Sequence, residues 1–318
     1  MAENYKVLTL GDALITFNPS ETGPLCYVTS FVRKVGGAEL NFAIGCARLG
    51  LETKWVSRLG GDVFGRVIYN FARGEGVNMS DVKFAENHPT SLNFKEIRPD
   101  GSGKTFYYRY QSPILTLKPE DITTEMFQGV DFIHLTGVFL AIDPKNLAIA
   151  KKVLEIAAEK GIRVSFDPNI RLKLWTLEEA KAAYKEILQS VDILLTGLDE
   201  IELINGDASD QALEDFAERF NISQLVIKDG GNGSRLYRQG VWYSKAAFNV
   251  TVVDTVGAGD GFDAGFIYAL LNGYSEEDCL EFANGSGALV TTVSGDNEGL
   301  PYLEEVLAMI RKEKVVER

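Results

Sequence analysis

Short apolar segments that read as β-strands alternate with longer segments of helical periodicity along most of this sequence. Parallel strands need a crossover connection, usually a helix, so this alternation predicts an α/β fold with a mostly parallel central sheet and helices on both faces. The predicted strands are 7–10, 55–59, 131–135, 163–166, 191–195 and 224–228. The predicted helices are 38–49, 64–74, 144–160, 177–190, 210–220 and a segment that ends near 271.

Residues 12–35 and 88–112 lack helical periodicity and interrupt this alternation. The second segment contains two strand-like runs, 91–97 and 105–110, separated by the turn residues of 99–103. Such a pattern indicates a β-hairpin. The sequence therefore predicts a small antiparallel sheet that forms a lid beside the large sheet. Because it contains no linker, low-complexity run or internal repeat, residues 1–318 are expected to form a single domain.

Charge and cysteine content exclude several functional classes. A formal net charge of −13 argues against a nucleic-acid partner and against anionic membranes. The start of the sequence has no basic segment followed by an apolar run, so a signal peptide is not expected. Three widely spaced cysteines without a CxxC pair predict neither a disulfide framework nor a zinc site and fit a reducing, cytoplasmic location. Two histidines leave little material for a histidine-based triad or metal site.

The segment 252–266 carries the strongest chemical signal. Apolar residues recur at helical spacing from 262 to 271, so a helix should begin between Gly257 and Asp260. The start of a helix presents free N–H groups that bind phosphate when small residues allow close approach. Asp260 in that first turn could accept a proton from an attacking hydroxyl, or it could cap the helix, and the residues alone leave these two interpretations equal. Asp263 is interpreted as a surface or packing residue.

Two further glycine-rich segments offer ligand contacts. Gly36 and Gly37 precede Glu39 and Asn41 at a predicted helix start, which fits either a ligand-binding turn or a capping turn before a packing helix. The segment 228–233 follows a predicted strand and fits either a flexible binding loop or a hairpin turn.

Taken together, these segments resemble the ribokinase (phosphofructokinase B) family of carbohydrate kinases over essentially the whole chain. The two family signatures correspond to GGAELNFAIGCARLG at 36–50 and DTVGAGDGFDAG at 254–265. The resemblance implies a ribokinase-like fold with a β-sheet lid that often also forms the dimer contact. It implies that Asp260 deprotonates the sugar hydroxyl. It further implies that the N–H groups of Gly257, Ala258 and Gly259 form the anion hole for the transferred phosphoryl group.

The resemblance also implies ATP as the phosphoryl donor and Mg²⁺ bound with the nucleotide, and it leaves a K⁺ requirement open. Many family members carry Asn-x-x-Glu after a central strand, whereas this chain has Gly197 in place of the asparagine and retains Glu200. Glu200 is therefore predicted to act on the metal only indirectly. The residues implied in nucleotide binding are Asn169, Lys228, Gly230, Gly231, Asn232, Gly233, Gly257, Ala258, Gly259 and Asn284.

Within the family the resemblance is strongest to 2-keto-3-deoxygluconate kinases, which phosphorylate the terminal hydroxyl to give 2-keto-3-deoxy-6-phosphogluconate. Because this substrate is an acid, its carboxylate requires cationic or multiple donor partners, for which arginine is well suited. The residues implied in substrate binding are Gly37, Ala38, Glu39, Asn41, Tyr107, Tyr108, Arg109, Arg171, Asp260 and Asp296.

Other interpretations of these residues stay open. Arg109 could be a solvated hairpin charge, Arg171 a helix-start ion pair, and the tyrosines ordinary cross-strand pairs. The alternative functions are a kinase for a neutral sugar such as fructose or ribose, and a non-catalytic sugar-binding regulator on the same fold. The expected partners are a sugar acid, ATP and a second copy of the chain bound through the lid.

Overall fold

The computed structural model describes residues 5–98 and 103–311, and its strands and helices follow the predicted alternation closely. The strands are β1 Lys6–Leu10, β2 Leu14–Pro19, β3 Phe31–Gly36, β4 Glu52–Gly60, β5 Val82–Ala85, β6 Ser91–Ile97, β7 Gly103–Tyr108, β8 Phe132–Thr136, β9 Arg163–Asp167, β10 Ile193–Gly197, β11 Gln224–Lys228, β12 Ser234–Arg238 and β13 Val241–Lys245. The helices are α1 Ala38–Arg48, α2 Val63–Gly74, α3 Gly137–Ile142, α4 Asn146–Lys160, α5 Leu177–Ile187, α6 Leu198–Asn205, α7 Asp210–Arg219, α8 Ala258–Leu271, α9 Glu276–Thr291 and α10 Leu303–Arg311.

The large sheet has the strand order β13-β12-β11-β10-β9-β8-β1-β4-β5. Every pair from β5 to β11 is parallel, and β12 and β13 continue the sheet as antiparallel strands. The mostly parallel central sheet predicted from the sequence is therefore confirmed. In the described residues 5–98 and 103–311, no helix has both the length and the apolar character that a membrane span requires.

Helices cover both faces of this sheet because successive side chains of each strand point to opposite sides. Leu8 and Ile133 pack into the core under α3, α4, α5, α6 and α7. Their neighbours Val7 and Phe132 pack into the core under α8, α9 and α10. This burial on both faces explains why the strands read as continuous apolar runs.

Four strands form the lid, a separate sheet in the order β3-β2-β6-β7. The predicted hairpin is present as the antiparallel pair β6–β7, whereas its predicted tip at 99–102 lies outside the described residues. The prediction of an antiparallel lid is wrong at its centre, where β2 and β6 pair in parallel and place Leu14 opposite Ser91. The reason is that β2 follows β1 and β6 follows β5, two parallel strands of the large sheet, so both enter the lid in one direction.

Candidate active site

A cavity of about 520 Å³ lies between the lid and the carboxyl ends of the parallel strands. Asp167, Gly197 and Lys228, at the ends of β9, β10 and β11, form its floor. The lid and the first turn of α8 supply the remaining walls. Open α/β sheets bind ligands at this edge of the sheet, so the cavity is the candidate active site.

The first turn of α8 is built for close approach of a ligand. Gly257 precedes the helix with a φ of 79°, and a Cβ there would lie 2.0 Å from the carbonyl oxygen of Asp296. Gly257 and Gly259 line the cavity, and no described residue accepts a hydrogen bond from either N–H group. The N–H of Ala258 donates instead to the carbonyl oxygen of Thr255 at 3.3 Å. Two of the three predicted anion-hole donors therefore belong to cavity-lining residues and have no acceptor among the described residues.

Asp260 lies in this first turn with its side chain buried and directed at two amides. Asn41 Nδ2 donates to its Oδ2 at 2.8 Å, and Asn169 Nδ2 donates to its Oδ1 at 3.5 Å. No backbone N–H of the helix start is capped by a side chain, so Asp260 is not the helix cap that the sequence allowed. Burial raises the pKa of Asp260 to about 7, although the Asn41 hydrogen bond opposes this increase. A carboxylate with a pKa near neutrality is suited to general base catalysis.

Lys228 and two aspartates form a buried charge cluster beneath Asp260. The Lys228 ammonium lies 3.1 Å from both Asp167 and Asp263. Burial raises the pKa of Asp263 well above its usual value. Burial also acts to raise the pKa of Asp167, but the charge of Lys228 and the hydrogen bonds from Asp263 and Lys228 together lower it below its usual value. Of the two interpretations of Asp263, the surface residue is wrong and the packing residue agrees with the structure: its side chain is fully buried at the end of β11, where it shares Lys228 with Asp167.

Glu200 also lines the cavity, at the start of α6. Its carboxylate accepts hydrogen bonds from the N–H groups of Ile170 at 2.7 Å and Gly197 at 3.1 Å. Burial raises its pKa. The described part of the chain contains no group of three or more His, Cys, Asp or Glu side chains that could hold a metal ion. Glu200 therefore lies in the cavity wall with its carboxylate held by two backbone N–H groups.

Strand alternation divides the predicted lid residues between two faces. Tyr107 and Arg109 line the cavity, whereas Tyr108 points to the opposite face, where 61% of its surface is exposed. Arg109 is not a solvated charge, since its side chain is largely buried and its guanidinium lies 3.8 Å from Asp12. The face that holds Tyr107 is therefore the one that a substrate would meet.

The lid contributes a cation that the sequence argument missed. Lys95 on β6 lines the cavity, and its Nζ lies 2.8 Å from Oδ1 of the predicted substrate residue Asp296. Side-chain alternation along β6 could have identified it, because Asn93 and Lys95 share one face and Leu92 and Phe94 share the other. Arg171, also on the cavity wall, donates to the carbonyl oxygen of Ile170 at 3.3 Å.

The residues at the start of α1 lie in two different environments. Gly37, Ala38 and Asn41 line the cavity. Glu39 instead points into the protein interior, where its carboxylate accepts a hydrogen bond from the Thr136 hydroxyl. Burial raises the pKa of Glu39 to about 7. Of the four predicted substrate contacts at this helix start, Glu39 is therefore the one that lies behind the cavity wall.

The predicted nucleotide residues of β11, the loop after it and Asn284 are divided between this cavity, a second cavity and the protein surface. Asn169 and Lys228 are in the wall of the first cavity. The loop after Lys228 connects the antiparallel strands β11 and β12, as the hairpin-turn interpretation expects. Asn232 and Gly233 line a neighbouring cavity of about 310 Å³. Asn284 lies beside that second cavity and donates to the carbonyl oxygens of 245 and 246 at 3.2 and 3.3 Å. Gly230 and Gly231 lie outside both linings on the loop surface.

A lid over a parallel sheet, with free N–H groups and a buried carboxylate at one helix start, is the arrangement expected of a carbohydrate kinase. The chain belongs to the pfkB family of carbohydrate kinases, whose family model matches residues 4–303.

Similar proteins span nearly the whole chain. A 2-dehydro-3-deoxygluconokinase of Thermoproteus tenax is 33% identical, covering 96% of this chain and 94% of the relative. The "Probable fructokinase-2" of Arabidopsis thaliana is 32% identical, covering 96% and 95%. The crystal structure of 2-dehydro-3-deoxygluconokinase from Thermotoga maritima is 26% identical, with a TM-score of 0.89 over 97% of this chain and 99% of that one. Acid-sugar and neutral-sugar kinases are therefore both among its relatives.

Proposed function

We propose that this kinase transfers the γ-phosphoryl group of ATP to the terminal hydroxyl of 2-keto-3-deoxygluconate, giving 2-keto-3-deoxy-6-phosphogluconate. The observation that carries the proposal is Arg171, an exposed residue that lines the same cavity as Asp260 and forms no ion pair with any described residue. A cavity cation without a protein counter-ion suits a substrate that supplies a carboxylate.

Asp260 is the proposed general base. Its carboxylate takes the proton of the terminal hydroxyl as the oxygen attacks the γ-phosphorus, and the bond to the β-phosphate oxygen breaks so that ADP leaves. The N–H groups of Gly257 and Gly259 would bind the negative charge of the transferred group. Mg²⁺, when bound with the nucleotide, neutralises the phosphates, and Glu200 would orient its water ligands.

The nucleotide is proposed to extend from the start of α8 along the loop 228–233 toward Asn284. Two features support this placement. The second cavity adjoins the first at the end of β11, and Lys228 stays protonated: burial lowers its pKa, but Asp167 and Asp263 raise it above its ordinary value. The charge of Lys228 favours phosphate groups near it through the electric field, while its contacts with the two aspartates are kept. A requirement for K⁺ is tested by measuring turnover with and without KCl.

The acid end of the sugar is proposed to bind between Arg171 and the lid. Arg109 and Lys95 add positive charge on the lid side, although Asp12 and Asp296 already pair with them. Tyr107 lies within cation–π distance of Arg109, 5.6 Å from ring centre to guanidinium carbon, which holds both side chains over the cavity.

ADP release from MgATP tests the substrate directly. The panel contains 2-keto-3-deoxygluconate, its galactonate epimer, fructose, ribose and no sugar, with Asp260→Asn protein as the control for contaminating kinases. Turnover with the keto-deoxy acids alone is the expected result, and phosphorus NMR of the product should place the phosphate on the terminal hydroxyl. Turnover with fructose or ribose alone would overturn the proposal and show that the protein is a neutral-sugar kinase. Sugar binding without ADP release in the presence of any of these sugars would favour the non-catalytic sugar-binding regulator.

We also propose that a second copy of the chain covers the outer face of the lid. Phe106 and Tyr108 expose 40% and 61% of their surfaces there, on β7, which is an edge strand. Exposed aromatic edge strands are usually paired or covered. Sedimentation should give a dimer mass for the wild type and a monomer mass for Tyr108→Asp. The control Leu203→Asp, which changes an exposed apolar residue on α6, should stay dimeric. A monomeric wild type at micromolar concentration would overturn the proposal.

A further inference from the structure

Asn297 is a buried amide that the mechanism above does not use. It lies in the segment between α9 and α10, and only 1% of its surface is exposed. Its Nδ2 donates to the carbonyl oxygen of Val35 on β3 at 2.7 Å and to Oδ1 of Asn41 at 3.2 Å. One NH₂ group therefore connects the lid, α1 and the segment that carries Asp296.

Asn41 extends this connection to the proposed base. Its Oδ1 accepts from Asn297, and its Nδ2 donates to Asp260 Oδ2 at 2.8 Å. The two ends of an amide are chemically distinct, and rotation of the Asn41 side chain by a half-turn would place an oxygen against the carboxylate. Because Asn297 donates to Oδ1, it favours the rotamer in which the NH₂ group faces Asp260.

We propose that Asn297 is a positioning residue for phosphoryl transfer: it fixes the orientation of the Asn41 amide and thereby the hydrogen bond that stabilises the Asp260 carboxylate. This inference rests on the proposed role of Asp260 as the base. Asn297 acts through Asn41 and does not itself contact Asp260 in the hydrogen-bond network.

The effect of Asn297 on Asp260 can be separated from that of the surrounding charges. Burial raises the pKa of Asp260 and the Asn41 hydrogen bond lowers it. Among charged neighbours, Asp167 raises this pKa, and Arg171 and Lys228 lower it. Other titratable or charged side chains of the same cavity and of the cluster beneath it are Glu200, Asp296, Lys95, Arg109 and Asp263. Replacement of Asn297 removes none of these charges, and none of them is a hydrogen-bond partner of the Asn297 side chain, so a shift in the pKa of Asp260 reports the amide.

The test is the pH dependence of kcat/KM in Asn297→Leu, which keeps the side-chain volume and removes the donor. Since the base must be deprotonated, kcat/KM of the wild type should rise with pH through about 7, the pKa of Asp260. Loss of a hydrogen bond to the carboxylate raises that pKa, so the rising limb should move upward by about one unit. At pH values below the pKa, kcat/KM of the variant should then be about tenfold lower than that of the wild type, and at high pH the two values should converge.

Two comparisons separate positioning from a structural effect. Asn146→Leu removes another buried amide, which donates to the carbonyl oxygen of Phe139 at 2.7 Å, and should lower the melting temperature without moving the limb. Asn41→Leu should raise the pKa of Asp260 by itself, and Asn41→Leu/Asn297→Leu should raise it no further, because the two residues act in series. Additive shifts in the double variant would contradict the inference.

A direct titration makes the result independent of the substrate. In protein labelled with ¹³C at the aspartate carboxyl carbons, the Asp260 signal is assigned by its loss in Asp260→Asn. Its pKa should be higher in Asn297→Leu, and in Asn297→Ser if the leucine variant does not fold. If the pKa of Asp260 is unchanged in the folded variant, the positioning role of Asn297 is refuted, and the role of Asp260 as the base is not affected. Persistence of the wild-type rate and pH limb in Asp260→Asn would instead refute the proposed base.

Discussion

Asp260→Asn is expected to lower kcat by about 10²–10⁴-fold, the range that a positioned general base contributes. The asparagine keeps the size of the side chain and can still accept the hydrogen bond from Asn41, so the cavity should keep its shape. It cannot take a proton from the attacking hydroxyl. Sugar and nucleotide binding should therefore persist while turnover is lost.

The measurement combines steady-state ADP release with calorimetric titration of the sugar. Asp278→Asn is the matched control, because Asp278 lies in the first turn of the adjacent helix α9 but is exposed and outside the cavity lining. It should keep wild-type kcat. If Asp260→Asn keeps kcat within a few-fold of the wild type, Asp260 is not the base; if it loses sugar binding as well, the loss of turnover cannot be assigned to proton transfer.

The fold could be predicted from the sequence because its strands are buried on both faces. That burial makes each strand a short apolar run, and the intervening helices supply the crossovers that parallel pairing needs. The direction of β2 relative to β6 could not be predicted in this way. It depends on which strands of the large sheet lead into the lid, and hairpin patterns describe only neighbours along the chain.

Residues of the candidate site were predictable where the signature is local. The start of α8 follows from the glycines before an apolar helical pattern, and the structure places Gly257 there with positive φ. Side-chain direction was less predictable. Tyr107 and Tyr108 were grouped although successive strand residues face opposite sides, and Lys95 was missed although it shares a face with Asn93. The contacts of Asn297 could not be predicted from the sequence, because its partners Val35 and Asn41 are more than 250 positions away.

Arg171→Ala is expected to raise KM for 2-keto-3-deoxygluconate by about 10- to 100-fold, the loss typical of a hydrogen-bonded partner of a charged group. Each other cation of the cavity lining already has a carboxylate partner: Lys95 with Asp296, Arg109 with Asp12, and Lys228 with two aspartates. Recruiting one of them to the substrate would leave a carboxylate unpaired in a buried site, which is costly. Arg171 can bind the substrate carboxylate without that cost.

The size of the change in KM should depend on the charge of the substrate and on the side chain at position 171. KM for fructose, where measurable, should be unaffected by Arg171→Ala, because a neutral sugar offers no carboxylate. Arg171→Lys keeps the charge but loses the planar pair of donors, so it should give an intermediate KM. Lys173→Ala removes an exposed cation two residues away that is outside the cavity lining, and it should leave both KM values unchanged. An equal rise in KM for acidic and neutral sugars would mean that Arg171 shapes the cavity rather than binds the acid. Variants of Lys95 and Arg109 would then be needed to distinguish the acid-sugar kinase from the neutral-sugar kinase.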